Sequence, residues 1–235
     1  MAVRRHGSVR WSVERDAIRE WVGWPTMLKL YERCKSLDEM RKETLERSGR
    51  KYPVNEYALY FSTLFVTGGR VSEVIELQPT QFYWNDEILY IRNMVVEKKR
   101  RLAYRDVIIE RVNNPLTEEV IRFVSECTTD YLFPGYENGP QRELNPLKHA
   151  TRQYVRKVII GIDDNIWPHW CRDQRSWHLS TSIERGGLGF EPFLLRSWFS
   201  WSRMETTLKY AGRRDEEDVL RKFGALRVPA GRSES

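Results

Sequence analysis

The stretch from residue 54 to 77 constrains the fold most. Tyr57, Ala58, Phe61, Leu64 and Phe65 recur at helical spacing, which predicts a buried helix beginning near Val54. Gly68-Gly69 ends that helix, because paired glycines accept backbone angles that other residues resist. A second helix is predicted from Ser72 to Leu77. Arg70 therefore lies where a glycine turn meets a helix start, a place where backbone N–H groups and the helix dipole favour an anion.

The rest of the pattern is mostly helical. Ser12 to Cys34 reads as helix, interrupted near Gly23-Trp24-Pro25, since proline disfavours helix in the residue before it. Ser36-Leu37-Asp38-Glu39 reads as a capping box that opens a new helix running toward Gly49. Glu87 to Val96 alternates and is rich in Ile, Tyr and Val, so it reads as a strand. The basic run Glu97-Lys98-Lys99-Arg100-Arg101 connects it to a second short strand near Asp106 to Ile109, giving a β-hairpin with a cationic tip. Pro115 to Cys127 reads as helix with Asn114 as N-cap. Tyr131-Leu132-Phe133-Pro134 reads as a loop. A helix is predicted from Asn145-Pro146 to about Ile160, then a loop from Gly161 to Asn165. Further helices are expected from Pro168 to Gly186-Gly187 and from Glu191 to Phe199. A second capping box, Ser202-Arg203-Met204-Glu205, opens the helix that carries Tyr210, which Gly212 ends. A last helix is read from Glu216 to Phe223.

This gives an α+β class, mainly α-helical, with a small antiparallel sheet. A composition shift near residue 50 divides a short basic helical arm (1–50) from a main domain (51–224) and a polar tail (225–235).

Composition narrows the partners. The 235 residues carry 39 Lys+Arg against 33 Asp+Glu, a net charge of +6, and the pI is near 9.2. Such a balance favours an anionic partner, with DNA or RNA first. No apolar run is long enough for a membrane span, and the N-terminus lacks the apolar stretch of a secretory signal. Cys34, Cys127 and Cys171 are odd in number and lack metal-site spacing, which suits reduced thiols in a cytosolic protein.

Several residues suit phosphate chemistry, yet each has a plainer reading. Arg70 alone reads as a surface arginine in an ion pair. His169 and Arg172, three apart on a predicted helix, share a face and suit proton transfer beside a phosphate. His169 alone reads as a packing or capping residue. The Trp201 indole is a donor only, and Tyr210 is a potential nucleophile; both alone read as packing residues. Lys98 and Lys99 on the hairpin are suited to protonating a leaving oxygen or to simple solvation. His169 and Cys171 lack the second pair that zinc would need.

Three strings in order carry a resemblance. Thr67-Gly68-Gly69-Arg70-Val71-Ser72-Glu73-Val74-Ile75-Glu76-Leu77 resembles the first arginine box of the tyrosine recombinases, the phage-type integrases. Pro168-His169-Trp170-Cys171-Arg172, with His178-Leu179 in phase, resembles their His-x-x-Arg box. Ser200 to Tyr210 resembles the segment in which a His or Trp precedes the nucleophilic tyrosine by nine residues. The resemblance covers about residues 53–224 and implies a tyrosine-recombinase-type catalytic domain. It implies that Arg70 and Arg172 clamp the scissile phosphate, His169 assists proton transfer, Trp201 donates to a phosphate oxygen and Tyr210 attacks. It further implies that Lys98 or Lys99 protonates the leaving group and that Glu73 supports the site. The 3′-phosphotyrosyl link would retain the bond's free energy, so neither ATP, metal nor other cofactor is implied. The implied partners are double-stranded DNA and further copies of the chain, as a tetramer on two sites, with a cytoplasmic location.

Two departures stand out. Asp173 occupies the position after Arg172 that is usually histidine, and the arm before Val54 is shorter than the family's core-binding domain. Two rival readings share the scaffold: a type IB topoisomerase-like relaxing enzyme, and a DNA-binding relative with weak or lost catalysis.

Overall fold

The computed structural model describes residues 20–47, 56–98, 101–133, 152–204 and 206–207, with side chains omitted at a few of these positions. Its helices are α1 (Gly23–Arg47), α2 (Glu56–Thr67), α3 (Val71–Val74), α4 (Pro115–Glu126), α5 (Arg152–Ile162), α6 (Pro168–Ser180) and α7 (Pro192–Phe199). Its strands are β1 (Phe82–Trp84), β2 (Ile88–Lys98) and β3 (Arg101–Glu110), joined in the order β1-β2-β3 as an antiparallel sheet.

Helix α2 lies at the centre, because it is apolar on nearly every side. Ala58, Tyr60, Phe61, Leu64, Phe65 and Val66 are all buried, and α1, α4, α5 and α6 pack around them. Helix α1 adds Met27, Leu30, Tyr31 and Cys34 to the same core, a stripe at helical spacing. From that stripe Asp38 caps α2. Its carboxylate accepts the Tyr57 N–H at 2.9 Å and the Ala58 N–H at 3.0 Å, two donors that no helical partner satisfies. A cap of this kind contributes about 1 kcal/mol.

This stripe corrects two sequence expectations. Helix α1 starts at Gly23 rather than breaking there, and it runs unbroken through Ser36. The Ser36 hydroxyl turns back to donate to the Glu32 carbonyl at 3.1 Å instead of capping a new helix. Continuous burial along Met27, Leu30, Tyr31, Cys34 and Asp38 outweighs a local capping preference. The expected C-cap at Gly49 lies outside the described residues.

The hairpin is longer than expected, and β1 is an addition to it. On β2, Leu89, Ile91, Met94 and Val96 face inward, although strict alternation would place Asn93 there. A bulge corrects the phase: the pairing moves from Ile91↔Val107 to Met94↔Arg105, with Asn93 left-handed at φ 53°. One extra residue on β2 thus returns Met94 to the core.

Helix α5 continues through Gly161 to Ile162, past the predicted stop, and a Cβ at Gly161 would lie in ordinary contact with the Tyr57 ring. Helix α6 ends at Ser180, short of Gly186-Gly187. The chain folds back, and Leu188 and Phe190 donate to the His178 and Leu179 carbonyls at 3.0 and 2.7 Å. Those contacts take up the helix's last acceptors and stop it.

A buried ion pair ties α6 to β3. Arg175, wholly buried, donates through two nitrogens to Glu110 at 2.6 and 2.7 Å. It also meets His178 Nδ1 at 2.9 Å. Trp21, Trp24 and Phe65 surround the His178 ring at 4.7, 5.1 and 6.0 Å. Burial, then the Arg175 charge, drives His178 down to about 3, so the imidazole is neutral. Burial alone would raise Glu110, but Arg175 overrides it and holds the carboxyl at about 2.

Between pH 6.5 and 3 the unfolded chain protonates His178 while the folded one does not. Glu110 behaves likewise between 4.5 and 2. Stability must therefore fall as pH drops through these windows. We expect the thermal midpoint to decline from pH 6.5 to 4.5. His178→Phe, which fits the same aromatic surroundings, should flatten that decline; an unchanged slope would contradict a buried neutral imidazole.

Candidate active site

The turn between α2 and α3 is built from glycine for two reasons. Gly68 has φ +55°, and a Cβ there would lie 2.6 Å from the Phe199 ring and 3.0 Å from that of Trp198. A Cβ at Gly69 would lie 2.5 Å from the Met94 methyl. Sheet and α7 therefore press directly on this turn.

The turn delivers Arg70 as the N-cap of α3. Glu73, three residues on, accepts from the Arg70 backbone N–H at 2.9 Å and from Nη1 at 3.0 Å. Arg172, from the first turns of α6, approaches the same carboxylate with Nη1 at 3.6 Å. That nitrogen also donates to the Gly68 carbonyl, 104 residues away in sequence. Glu73 is 1% exposed, Arg172 8% and Arg70 39%. The arginines thus converge on one buried carboxylate, and Arg70 keeps the more open face.

Aromatic rings wall the site. The Arg172 guanidinium carbon lies 4.7 Å from the Phe199 ring and 5.9 Å from that of Trp201. Those rings are themselves stacked, with centroids 4.4 Å apart and planes 6° apart. Ser200, left-handed at φ 51°, makes the bend between them. Arg196 holds that bend by donating to the Trp201 and Ser202 carbonyls, both at 3.0 Å.

His169, second residue of α6, is exposed at its mouth. Partial burial lowers its pKa, helped by Arg172 and Arg70, while Asp173 and Glu73 pull upward. The imidazole is neutral at neutral pH and can accept a proton. Asp173 thus opposes the arginines at this histidine without cancelling them. Cys171 is fully buried and its thiol is pushed up by burial, so it is an inert packing residue. Among the described residues no group of three or more His, Cys, Asp or Glu is placed to hold a metal.

Sequence reasoning passed over Arg105, which is 6% exposed. A signal was present: Arg105, Val107 and Ile109 share the inward phase of β3. Its guanidinium donates to the Trp198 carbonyl at 2.5 Å and the Thr67 carbonyl at 2.9 Å.

The structure brings Arg70, Glu73, His169, Arg172 and Trp201 into one neighbourhood. Lys98 ends β2, paired with Arg101. The Lys98 side chain, Lys99 and Tyr210 lie outside the described residues.

No protein-family model matches the chain, and no curated protein does. Solved structures do. The fold is similar to that of XerH site-specific recombinase bound to palindromic difH substrate, with a TM-score of 0.53 and 14% identity over 91% of this chain and 54% of that one. XerA recombinase gives 0.52 and 16%, over 90% and 66%. The Tn1549 transposon integrase in complex with a circular intermediate DNA gives 0.52 and 12%, over 79% and 63%. The chain spans between about half and two thirds of the length of these structures. The chain shares the fold of these recombinases, mainly helical with a three-stranded antiparallel sheet.

One titration tests the electrostatics. The His169 pKa, followed by NMR, should lie below 6.5, and Asp173→Asn should lower it further by removing the carboxylate that favours the imidazolium. A value above 6.5, or a rise in the variant, would contradict the arrangement.

Proposed function

We propose that this chain is a tyrosine-type DNA strand transferase, a site-specific recombinase or integrase. The observation that carries the reading is the convergence of Arg70 and Arg172 on Glu73. A phosphodiester passing through a pentavalent transition state gathers charge on its non-bridging oxygens, and fixed guanidinium donors stabilise that charge. Glu73 fixes those donors before substrate arrives, so the cost of ordering them is met in folding. Their spacing along the chain, the tyrosine nine residues past Trp201, and the fold all support this reading.

The Tyr210 phenolic oxygen attacks phosphorus, and its proton passes toward neutral His169. Arg70, Arg172 and the Trp201 indole N–H hold the non-bridging oxygens. The bond from phosphorus to the 5′ oxygen breaks, and Lys98 or Lys99 protonates the departing oxygen as a 5′-hydroxyl. A 3′-phosphotyrosyl ester remains. A 5′-hydroxyl from a second DNA then attacks that ester and releases the tyrosine. Each step exchanges one phosphoester for another, so rejoining draws on the energy already held in the link and needs no ATP. Strand exchange between two duplexes calls for several copies of the chain on paired sites.

The test uses nicked duplexes with a randomised centre, from which a cleaved strand cannot be religated. The parent should yield a protein–DNA adduct stable to denaturation, and Tyr210→Phe should yield none while still binding DNA. Arg70→Ala and Arg172→Ala should each slow adduct formation by about 10²–10³-fold, the scale for loss of one transition-state donor. An adduct that survives Tyr210→Phe, or an arginine variant within a few-fold of the parent, would refute the assignment.

A further inference from the structure

The geometry points to Arg105 as a third arginine of the site, a positioning residue that sets the turn bearing Arg70 in register with the bend bearing Trp201.

A guanidinium as deeply buried as that of Arg105 ordinarily faces a carboxylate. Arg175, the other such arginine on the sheet side of α6, meets Glu110 through two nitrogens. Among the described residues no carboxylate lies within ion-pair distance of Arg105. Its hydrogen-bond partners are the Thr67 and Trp198 carbonyls and, at 3.8 Å, the Met94 sulfur. Its guanidinium carbon also lies 5.1 Å from the Trp198 ring and 5.8 Å from that of Phe199.

The two carbonyls share a character. Thr67 is the last residue of α2 and Trp198 the next-to-last of α7. Both lie at helix C-termini, where orphan carbonyls and the negative dipole end favour a cation. Each is followed at once by a bend that delivers part of the site. After Thr67 come left-handed Gly68 and then Arg70; after Trp198 come Phe199, left-handed Ser200 and then Trp201. One planar fork on β3 therefore spans the ends of both helices. A lysine has one nitrogen and cannot hold two carbonyls in that fixed relation.

Charge adds to the geometry. Burial, then Arg172, lowers Arg105 to about 9, which leaves it cationic at neutral pH. Arg172 and Arg70 lower the Arg105 pKa and Glu73 raises it, so the three arginines and this carboxylate act on one another as one charged cluster.

The inference rests on the proposed strand transfer, and its test separates the two. Parent, Arg105→Met and Arg105→Lys are compared in three measurements: single-turnover adduct formation at saturating nicked DNA, DNA affinity, and inorganic phosphate affinity from arginine side-chain NMR shifts. All are made well below each variant's melting temperature, so that folded fractions are equal. Arg105→Met should form adduct at least about tenfold more slowly and bind phosphate at least about tenfold more weakly, with DNA affinity within a few-fold of the parent. Arg105→Lys should recover part of both losses, because it keeps the charge and one donor. A folded Arg105→Met within twofold of the parent in rate and phosphate affinity overturns the inference. If Arg105→Met does not fold, Arg105→Lys decides, and parent-like behaviour overturns it. If neither folds, Arg105 is a purely structural residue and the inference fails. If the parent itself forms no adduct, strand transfer is refuted, and phosphate affinity alone judges Arg105.

Discussion

A single buried carboxylate organises the site. Glu73 lies almost wholly out of solvent, yet it faces Arg70 and the Arg172 guanidinium from a distant helix. Long side chains carry rotamer freedom that a ligand would otherwise have to quench. Glu73 fixes both, and it also accepts the Arg70 backbone N–H, so the start of α3 and the arginine side chain are set together. Removing Glu73 would leave the buried Arg172 guanidinium without this carboxylate, a destabilising change.

The scaffold makes this convergence possible by close packing. Two glycines let the sheet and α7 approach the turn, where any Cβ would collide with Met94, Trp198 or Phe199. The bulge at Asn93 returns Met94 to the inner face just where the Gly69 turn and Arg105 need it. Trp198 completes the seam by donating its indole N–H to the Ile108 carbonyl at 2.8 Å. One turn further along the same face of α6, Arg175 and His178 meet Glu110 and brace the helix against β3. The site is therefore held by charge and by stacked rings.

How much of this was legible depended on whether the cause was local. Helix α2, its stop at Gly68-Gly69, the N-terminus of α4 at Pro115 and the extent of α7 follow from apolar periodicity and punctuation, and the structure has them. The errors arose where tertiary contacts won. Ser36 satisfied a local capping pattern but lies on a helix that buries a stripe from Met27 to Asp38. Gly186-Gly187 looked like a helix stop, yet α6 ends earlier because the returning Leu188 and Phe190 take its carbonyls. Strand β1 is three residues long, too short for alternation to register. Arg105 was missed for another reason: the second strand was expected only from near Asp106, whereas β3 begins at Arg101 and carries Arg105 in its inward phase.

In the proposed reaction, two guanidiniums fixed by Glu73 receive one phosphate within reach of the Tyr210 phenol. A crystal structure of the parent with nicked DNA and orthovanadate, which adopts five-coordinate geometry, tests this directly. Arg70 and Arg172 should both lie about 2.7–3.2 Å from oxygens of the same vanadate, with the Tyr210 oxygen at an apical position. Vanadate seated away from Glu73, or touching only one of the two arginines with Tyr210 remote, would contradict the account.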